Sequence, residues 1–262
     1  MQPRSYIVRT VGFATAVCVV CAVLVSSSAV LLRDRQAVNV ELDRKKNVLM
    51  AAGLLGADES VAAAEVESRF ASFEVAAVEL ASGEEDPAFT VAGYDASRAQ
   101  TVPATSRAVP GNPAGVTRVA NHGLVYKERG PDGALQLVVL PIEGMGLWGK
   151  MKGFVALDAD LTTIRGLTYY EHKETPGLGG EVDNPRWKQL WPGRQALDAD
   201  GDLAIEVIRG RAGPVQSDPN RVDGLAGATI TSRGVTAMLR FWLGEHGYGP
   251  YLAQLKKGGT DG

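Results

Sequence analysis

Apolar and polar positions along the chain change rhythm three times. Residues 10–32 hold no charged side chain, a run of 23. At about 1.5 Å per residue it can cross a hydrocarbon core roughly 30 Å thick. A cleaved signal sequence is the alternative, with Ser26-Ser27-Ser28-Ala29 as its cleavage site. Apolar residues resume at Val30-Leu31-Leu32, so an uncleaved anchor is expected. Residues 34–55 then read as a helix leaving the membrane. Val38, Leu42, Leu49 and Ala52 lie near one face, Lys45 interrupts it, and Gly53 and Gly56 mark its end. A second helix is expected over 61–70.

From residue 73 the rhythm shortens to that of strands. Strands are expected at 73–80, 122–127, 135–142, 153–158, 163–172 and 203–208. Gly130-Pro131-Asp132-Gly133 supplies a hairpin turn. The run 135–142 is almost continuously apolar, which predicts a strand buried on both faces. Residues 82–115 are rich in Gly, Pro, Ser and Thr and read as a loop-rich insert. Helical spacing returns in a short helix at 184–190, then at Val235, Met238, Leu239, Trp242 and Leu243, and in a last helix at 251–257. The expected fold class is α+β: one N-terminal transmembrane helix, then a domain with an antiparallel-rich sheet and flanking helices. Its parts are a tail at 1–9, the span at 10–32, a connecting helix at 33–56 and a domain at 57–262.

Charge sharpens this division. Seven basic and three acidic side chains give residues 1–50 a charge of +4, so the remaining 212 residues carry −7 of the chain's net −3. An acidic globular part argues against nucleic acid as a partner, while the basic excess sits where a membrane surface would be. Basic residues flank the span on both sides, so charge counting leaves its orientation open. The two cysteines, Cys18 and Cys21, both lie within the span. Their spacing matches a redox pair, but two small apolar side chains in a membrane helix is the simpler reading. The domain itself has no disulfide and no cysteine-ligated metal.

Candidate chemistry centres on Asp223-Gly224-Leu225-Ala226-Gly227-Ala228-Thr229, which runs into the helix start Ile230-Thr231-Ser232. Free N–H groups and the positive end of a helix dipole suit a phosphate, and Gly227 and Ala228 allow close approach. Equally, Thr229, Thr231 and Ser232 could simply cap the helix. Two glycine-flanked loops, 144–149 and 174–180, each follow a strand and carry large apolar residues: Leu147 with Trp148, and Leu178. Near Thr229 they would form a flat apolar slot beside a phosphate cradle, a shape suited to flavin mononucleotide (FMN). Ordinary turns around a buried tryptophan are the alternative. Three histidines and no G-x-S-x-G elbow fit nucleophilic hydrolysis poorly. His172 and Glu174 read as a surface pair rather than a metal site, and no Walker pattern is present.

The stretch Asp223-x-x-Ala226-Gly227-Ala228-Thr229 resembles the flavinylation motif of FMN-binding domains. So do Gly146-Leu147-Trp148, the run from Tyr169 through Glu181, and Thr229-Ile230-Thr231-Ser232. The blocks Glu181-Val182-Asp183-Asn184-Pro185-Arg186-Trp187, Leu190-Trp191-Pro192-Gly193 and Phe241-Trp242-Leu243-Gly244 are similar to the C subunits of sodium-translocating NADH:quinone reductases. The resemblance covers nearly all of the chain except about 82–115. It implies FMN held covalently on Thr229 by a phosphoester bond, attached by a magnesium-dependent flavin transferase that recognises Asp223. It places Gly146, Leu147, Trp148, Glu174, Thr175, Leu178, Gly227, Ala228 and Thr231 around the cofactor, and assigns no catalytic or metal-binding residue. It also implies an electron-relay subunit working with five others in the bacterial inner membrane, N-terminus cytoplasmic and domain periplasmic, with membrane lipid around the anchor. Ala226 departs from the family, which usually has Ser or Thr there. The G subunit of the related ion-pumping ferredoxin:NAD oxidoreductase and a non-covalent, membrane-anchored FMN module are the alternatives.

Overall fold

A computed structural model describes residues 4–56 and 59–258. Helix α1 runs unbroken from Arg4 to Ala51, and it is the one described helix long and apolar enough to cross a membrane. Its apolar side chains from Tyr6 to Leu32 are exposed, Cys18 and Cys21 among them. The chain forms two compact units, residues 1–44 and 45–262. The second therefore begins within α1, at Lys45, rather than at residue 57.

The centre of the second unit is a six-stranded sheet. Its members are β1 (Phe73–Glu79), β4 (His122–Arg129), β5 (Leu135–Met145), β6 (Lys150–Asp158), β7 (Thr163–Glu171) and β8 (Arg194–Gln195), side by side in that order. Every neighbouring pair is antiparallel. The β4–β5 hairpin closes through Gly130, whose N–H donates to Ala134, and Gly133 takes φ of 80°. Side strands β2 (Ser106–Ala108) and β3 (Arg118–Ala120) pair with each other.

The apolar run of β5 is buried because both faces of the sheet are covered. On one face lies α5 (Thr229–Leu243), which presses Val235, Met238, Leu239 and Trp242 onto Val138, Leu140 and Ile142. Each such side chain contributes about 1.5–3 kcal/mol on burial. The indole N–H of Trp242 donates to the Glu143 carbonyl at 2.6 Å, which fixes α5 along β5. On the other face, the end of α1 from Lys45 packs with α2 (Ala63–Phe70) through buried Val48, Leu49 and Val66. Phe70 stacks on Phe73 and meets Tyr126 edge-on. Arg165 donates to the Ala52 carbonyl at 3.0 Å, tying this layer to β7. Helix α6 (Gly249–Gly258) closes the domain, with Tyr251 buried.

Several boundaries differ from expectation. Strand β5 reaches three residues beyond Ile142 because β6 pairs with it as far as Met145–Lys150. The strand expected at 203–208 shrinks to β9 (Glu206–Val207), which pairs in parallel with β10 (Arg221–Val222). Residues 82–115 are mostly loop and carry only short regular elements. They hold the short helix α3 (Ala96–Ala99), a 3-10 turn at Pro103–Thr105 and strand β2. Buried Gln100, Ser106, Val109 and Ala114 anchor them. Their glycine- and proline-rich composition sets tight turns, and the packing comes from isolated residues that show no period. The short helix α4 (Pro185–Lys188) is capped by Asn184, whose side chain accepts from Arg186 N–H.

Candidate functional site

The start of α5 decides between cap and cradle. Ala228 occupies the N-cap position and makes no side-chain cap bond. Thr231 Oγ instead donates to Glu174 Oε2, and Ser232 Oγ accepts from the Leu225 N–H at 3.1 Å. Neither hydroxyl is free to cap. The Thr229 side chain is exposed, with no hydrogen-bond partner among the described residues. The capping account therefore fails for all three residues. What is left is a helix start whose first-turn N–H groups lack a side-chain acceptor, beside an exposed hydroxyl. Such an end attracts an anion. Gly227 turns the chain into it at φ of 73°, and a Cβ there would sit 2.8 Å from Leu178 Cδ2. That closeness brings the loop of Leu178 against the turn before Thr229.

One carboxylate joins the remaining pieces. Glu174 is 5% exposed. Its Oε1 accepts from the Trp148 N–H at 2.9 Å, while Oε2 accepts from Thr231. Both loops and the first turn of α5 thus meet at one side chain. Glycines line it: a Cβ on Gly146 would lie 2.5 Å from Oε1, and one on Gly179 would lie 2.7 Å from Thr231 Oγ. The first loop is closed by Gly146 N–H donating to Gly149 at 2.8 Å. In the second, the N–H groups of Leu178 and Gly180 both donate to the Thr175 carbonyl, and the Thr175 side chain is exposed. The expected surface pair of His172 and Glu174 is not found. His172 Nε2 pairs with Asp183 at 2.7 Å and its Nδ1 accepts the Glu174 N–H, while the Glu174 carboxylate points inward. Among the described residues no cluster of His, Cys, Asp or Glu is suited to a metal ion.

Around this buried link the surface is apolar. Trp148 is 64% exposed, and Leu147 and Leu178 are nearly half exposed. The alternative to a slot requires a buried tryptophan, and Trp148 is not buried. Its turn stands beyond the paired ends of β5 and β6, where no layer covers it. Leaving aside Val102 and Tyr170, which packs on Phe154, every large exposed hydrophobic among the described residues of the second unit lies in these loops, at their edges or on α5: Met145, Leu147, Trp148, Leu178 and Ile230. An apolar patch next to a few directed polar groups is the usual form of a ligand site.

Asp223 lies apart from this link. Its Oδ1 accepts from the Ala212 N–H at 2.9 Å, and its carbonyl accepts from the Trp187 indole at 2.9 Å. It thus shapes the loop before the motif. Ala226 is exposed. Arg233 is not among the expected residues. It is exposed, four residues after Thr229 and so on the same helix face, and helical side chains lean toward the N-terminus. That spacing is legible in the sequence.

Residues 146–244 match the family described as FMN-binding domain, a span that runs from the first loop to the end of α5. The fold and site thus define a class: a protein with one apolar N-terminal helix and a flavin-mononucleotide-binding domain. Two relatives match over almost all of their length. The C subunit of the Na(+)-translocating NADH-quinone reductase of Pseudomonas aeruginosa is 44% identical, across 98% of this chain and 99% of the relative. That of Yersinia pestis is 42% identical, across 98% and 97%. Among solved structures, Shewanella oneidensis NqrC superimposes with a TM-score of 0.75 at 35% identity, covering 82% of this chain and 97% of that one. The corresponding C-subunit structure from Parabacteroides distasonis gives 0.65 at 25% identity, covering 84% and 96%. The chain belongs to the family of C subunits of Na(+)-translocating NADH-quinone reductases.

Proposed function

We propose that this chain is an electron-relay subunit of a sodium-translocating NADH:quinone reductase, carrying FMN as a phosphoester on Thr229. The observation that carries the reading is the exposed Thr229 at an uncapped helix start, two residues after the Gly227 turn that Leu178 lies against. The helix N-terminus receives the phosphate, Gly227 and Ala228 leave it room, and Leu147, Trp148 and Leu178 pack the ring system. In attachment, Thr229 Oγ attacks the FMN-side phosphorus of FAD. The pyrophosphate bond breaks, AMP leaves, and the hydroxyl proton passes to solvent or a base of the transferase. Asp223 would serve the transferase indirectly, by holding the loop that presents the motif. Bound flavin supplies the redox chemistry. The protein fixes its position and the polarity around it.

The anchor, α1, would hold the domain at the inner membrane, N-terminus cytoplasmic and domain periplasmic, in lipid and alongside five other subunits. No acid lies within 10–32, so the span offers no carboxylate for a coupling ion. A denaturing gel tests the covalent reading. Expressed with a flavin transferase, the wild-type chain should give a fluorescent band that Thr229→Ala abolishes. A dark wild-type band beside a fluorescent control substrate of the same transferase would instead favour a non-covalent module.

A further inference from the structure

We propose that Glu174 is the positioning residue of the flavin slot, and that its negative charge holds the flavin's reduction potential down. The proposal rests on the FMN reading above. Two things about Glu174 are unusual. The first is its geometry: a single carboxylate ties the Trp148 backbone of one loop to the Thr231 hydroxyl of α5. These are the wall and the floor of the same slot, and among the described residues it is the side chain that bonds to both. The loop glycines answer to it, since a side chain on Gly146 or Gly179 would strike its oxygens. The second is its charge. Glu174 is 5% exposed, and no lysine, arginine or histidine among the described residues forms an ion pair with it. Of its basic chain neighbours, His172 pairs with Asp183, and Lys173 is exposed, its stem 3.6 Å from where a Cβ on Gly149 would stand.

A buried anion without a cation is compensated only by hydrogen bonds and by the positive end of α5. Its field therefore extends into the slot, where low polarity screens it weakly. Electrons added to a flavin next to it meet that field, so reduction becomes harder. Neither the bridging nor the electrostatic role depends on Glu174 touching the ring.

Glu174→Gln separates the two roles. Its Oε1 can still accept from Trp148, and its Nε2 can donate to Thr231 Oγ, so the bridge survives while the charge is lost. Glu174→Ala loses both. In the flavin-loaded full chain, Glu174→Gln should keep the visible circular dichroism of the flavin. At a fixed redox poise it should raise the reduced-to-oxidised ratio severalfold. An unchanged ratio would overturn the charge role. In the full chain made without a flavin transferase and stripped of residual flavin by unfolding and refolding, hydrogen exchange of the peptide spanning residues 146–150 should speed up at least tenfold in Glu174→Ala and stay near wild type in Glu174→Gln. Unchanged exchange in Glu174→Ala would overturn the positioning role. Since the exchange arm uses no flavin, it is read even if the covalent reading fails. That failure would show separately, as flavin retained in Thr229→Ala or absent from the wild type.

Discussion

Gly146→Ala probes the slot at its tightest point. Gly146 follows β5 and precedes the exposed Leu147-Trp148 pair. A methyl group there would lie 2.5 Å from Glu174 Oε1, 2.7 Å from Met151 Sδ and 2.9 Å from Glu174 Cδ. Relaxing these to the 3.4 Å at which ordinary contact begins requires shifts of 0.9 Å at Glu174 Oε1 and 0.7 Å at Met151 Sδ. Neither neighbour yields freely. Met151 is fully buried in the core, and Glu174 is held at both oxygens, by Trp148 at 2.9 Å and by Thr231. Overpacking of this kind costs about 1–3 kcal/mol. Loss of a hydrogen bond to a charged group would add roughly 1.5–3 kcal/mol if Glu174 gives way instead. Against this, alanine loses less chain entropy on folding, worth about 0.4–1 kcal/mol. The expected net destabilisation is roughly 0–2.6 kcal/mol if packing alone is strained and about 1.5–5.6 kcal/mol if the hydrogen bond is lost as well. For a domain of this size each kcal/mol lowers Tm by roughly 2–4 °C. Thermal unfolding of the flavin-free chain, followed by circular dichroism, measures it. The loaded variant should also show altered flavin dichroism, because Trp148 moves with the turn. A variant stabilised by about 0.4–1 kcal/mol, as an unhindered glycine replacement would be, refutes the crowding argument and the placement of Glu174 with it.

Four further outcomes test other parts of the molecule. Lys127 is 2% exposed and held by Glu74 and Glu85 at 2.9 and 2.8 Å, so the double change Glu74→Gln with Glu85→Gln should cost about 3–5 kcal/mol in urea unfolding by stranding a buried cation; near-neutral behaviour would mean that Lys127 reaches water. The hydrogen bond from Lys127 also holds the Glu74 carboxyl below its ordinary 4.5. A depressed carboxyl stabilises the fold above its unfolded value and loses that contribution as pH falls through its folded value. Glu74→Gln alone should therefore lower the urea midpoint near pH 7 and converge on wild type as pH falls through the depressed carboxyl's folded value, with a difference under about 1 kcal/mol because Glu74 is half exposed. Trp148 is exposed while Trp187, Trp191 and Trp242 are buried, so iodide should quench a component of the emission that Trp148→Phe removes and flavin loading shields; equal quenching with and without flavin would place the ring elsewhere. Arg233→Gln should slow flavin loading at limiting transferase a few-fold, the scale of about 0.5–1 kcal/mol for an exposed ion pair; an unchanged rate would take Arg233 away from the phosphate.

Much of this architecture is written in local pattern. The uncharged stretch of α1, the hairpin at 130–133, the apolar β5 and the stripe on α5 all follow from spacing, because a helix or strand must show one face to the core. The motif around Thr229 is legible for the same reason, since a glycine turn followed by a helical stripe is a short-range signal. Tertiary structure alone decides which hydroxyls are free. Thr229, Thr231 and Ser232 look alike in sequence, yet Thr231 is taken by Glu174, Ser232 by the Leu225 amide, and only Thr229 faces solvent. Sequence likewise leaves Glu174 on the surface beside His172, because its partners lie 26 residues before it and 57 after it in the chain. Bonds of that range leave no period to read. They form when the sheet brings the end of β5, the loop after β7 and the start of α5 to one place, and they settle where the buried charge lies.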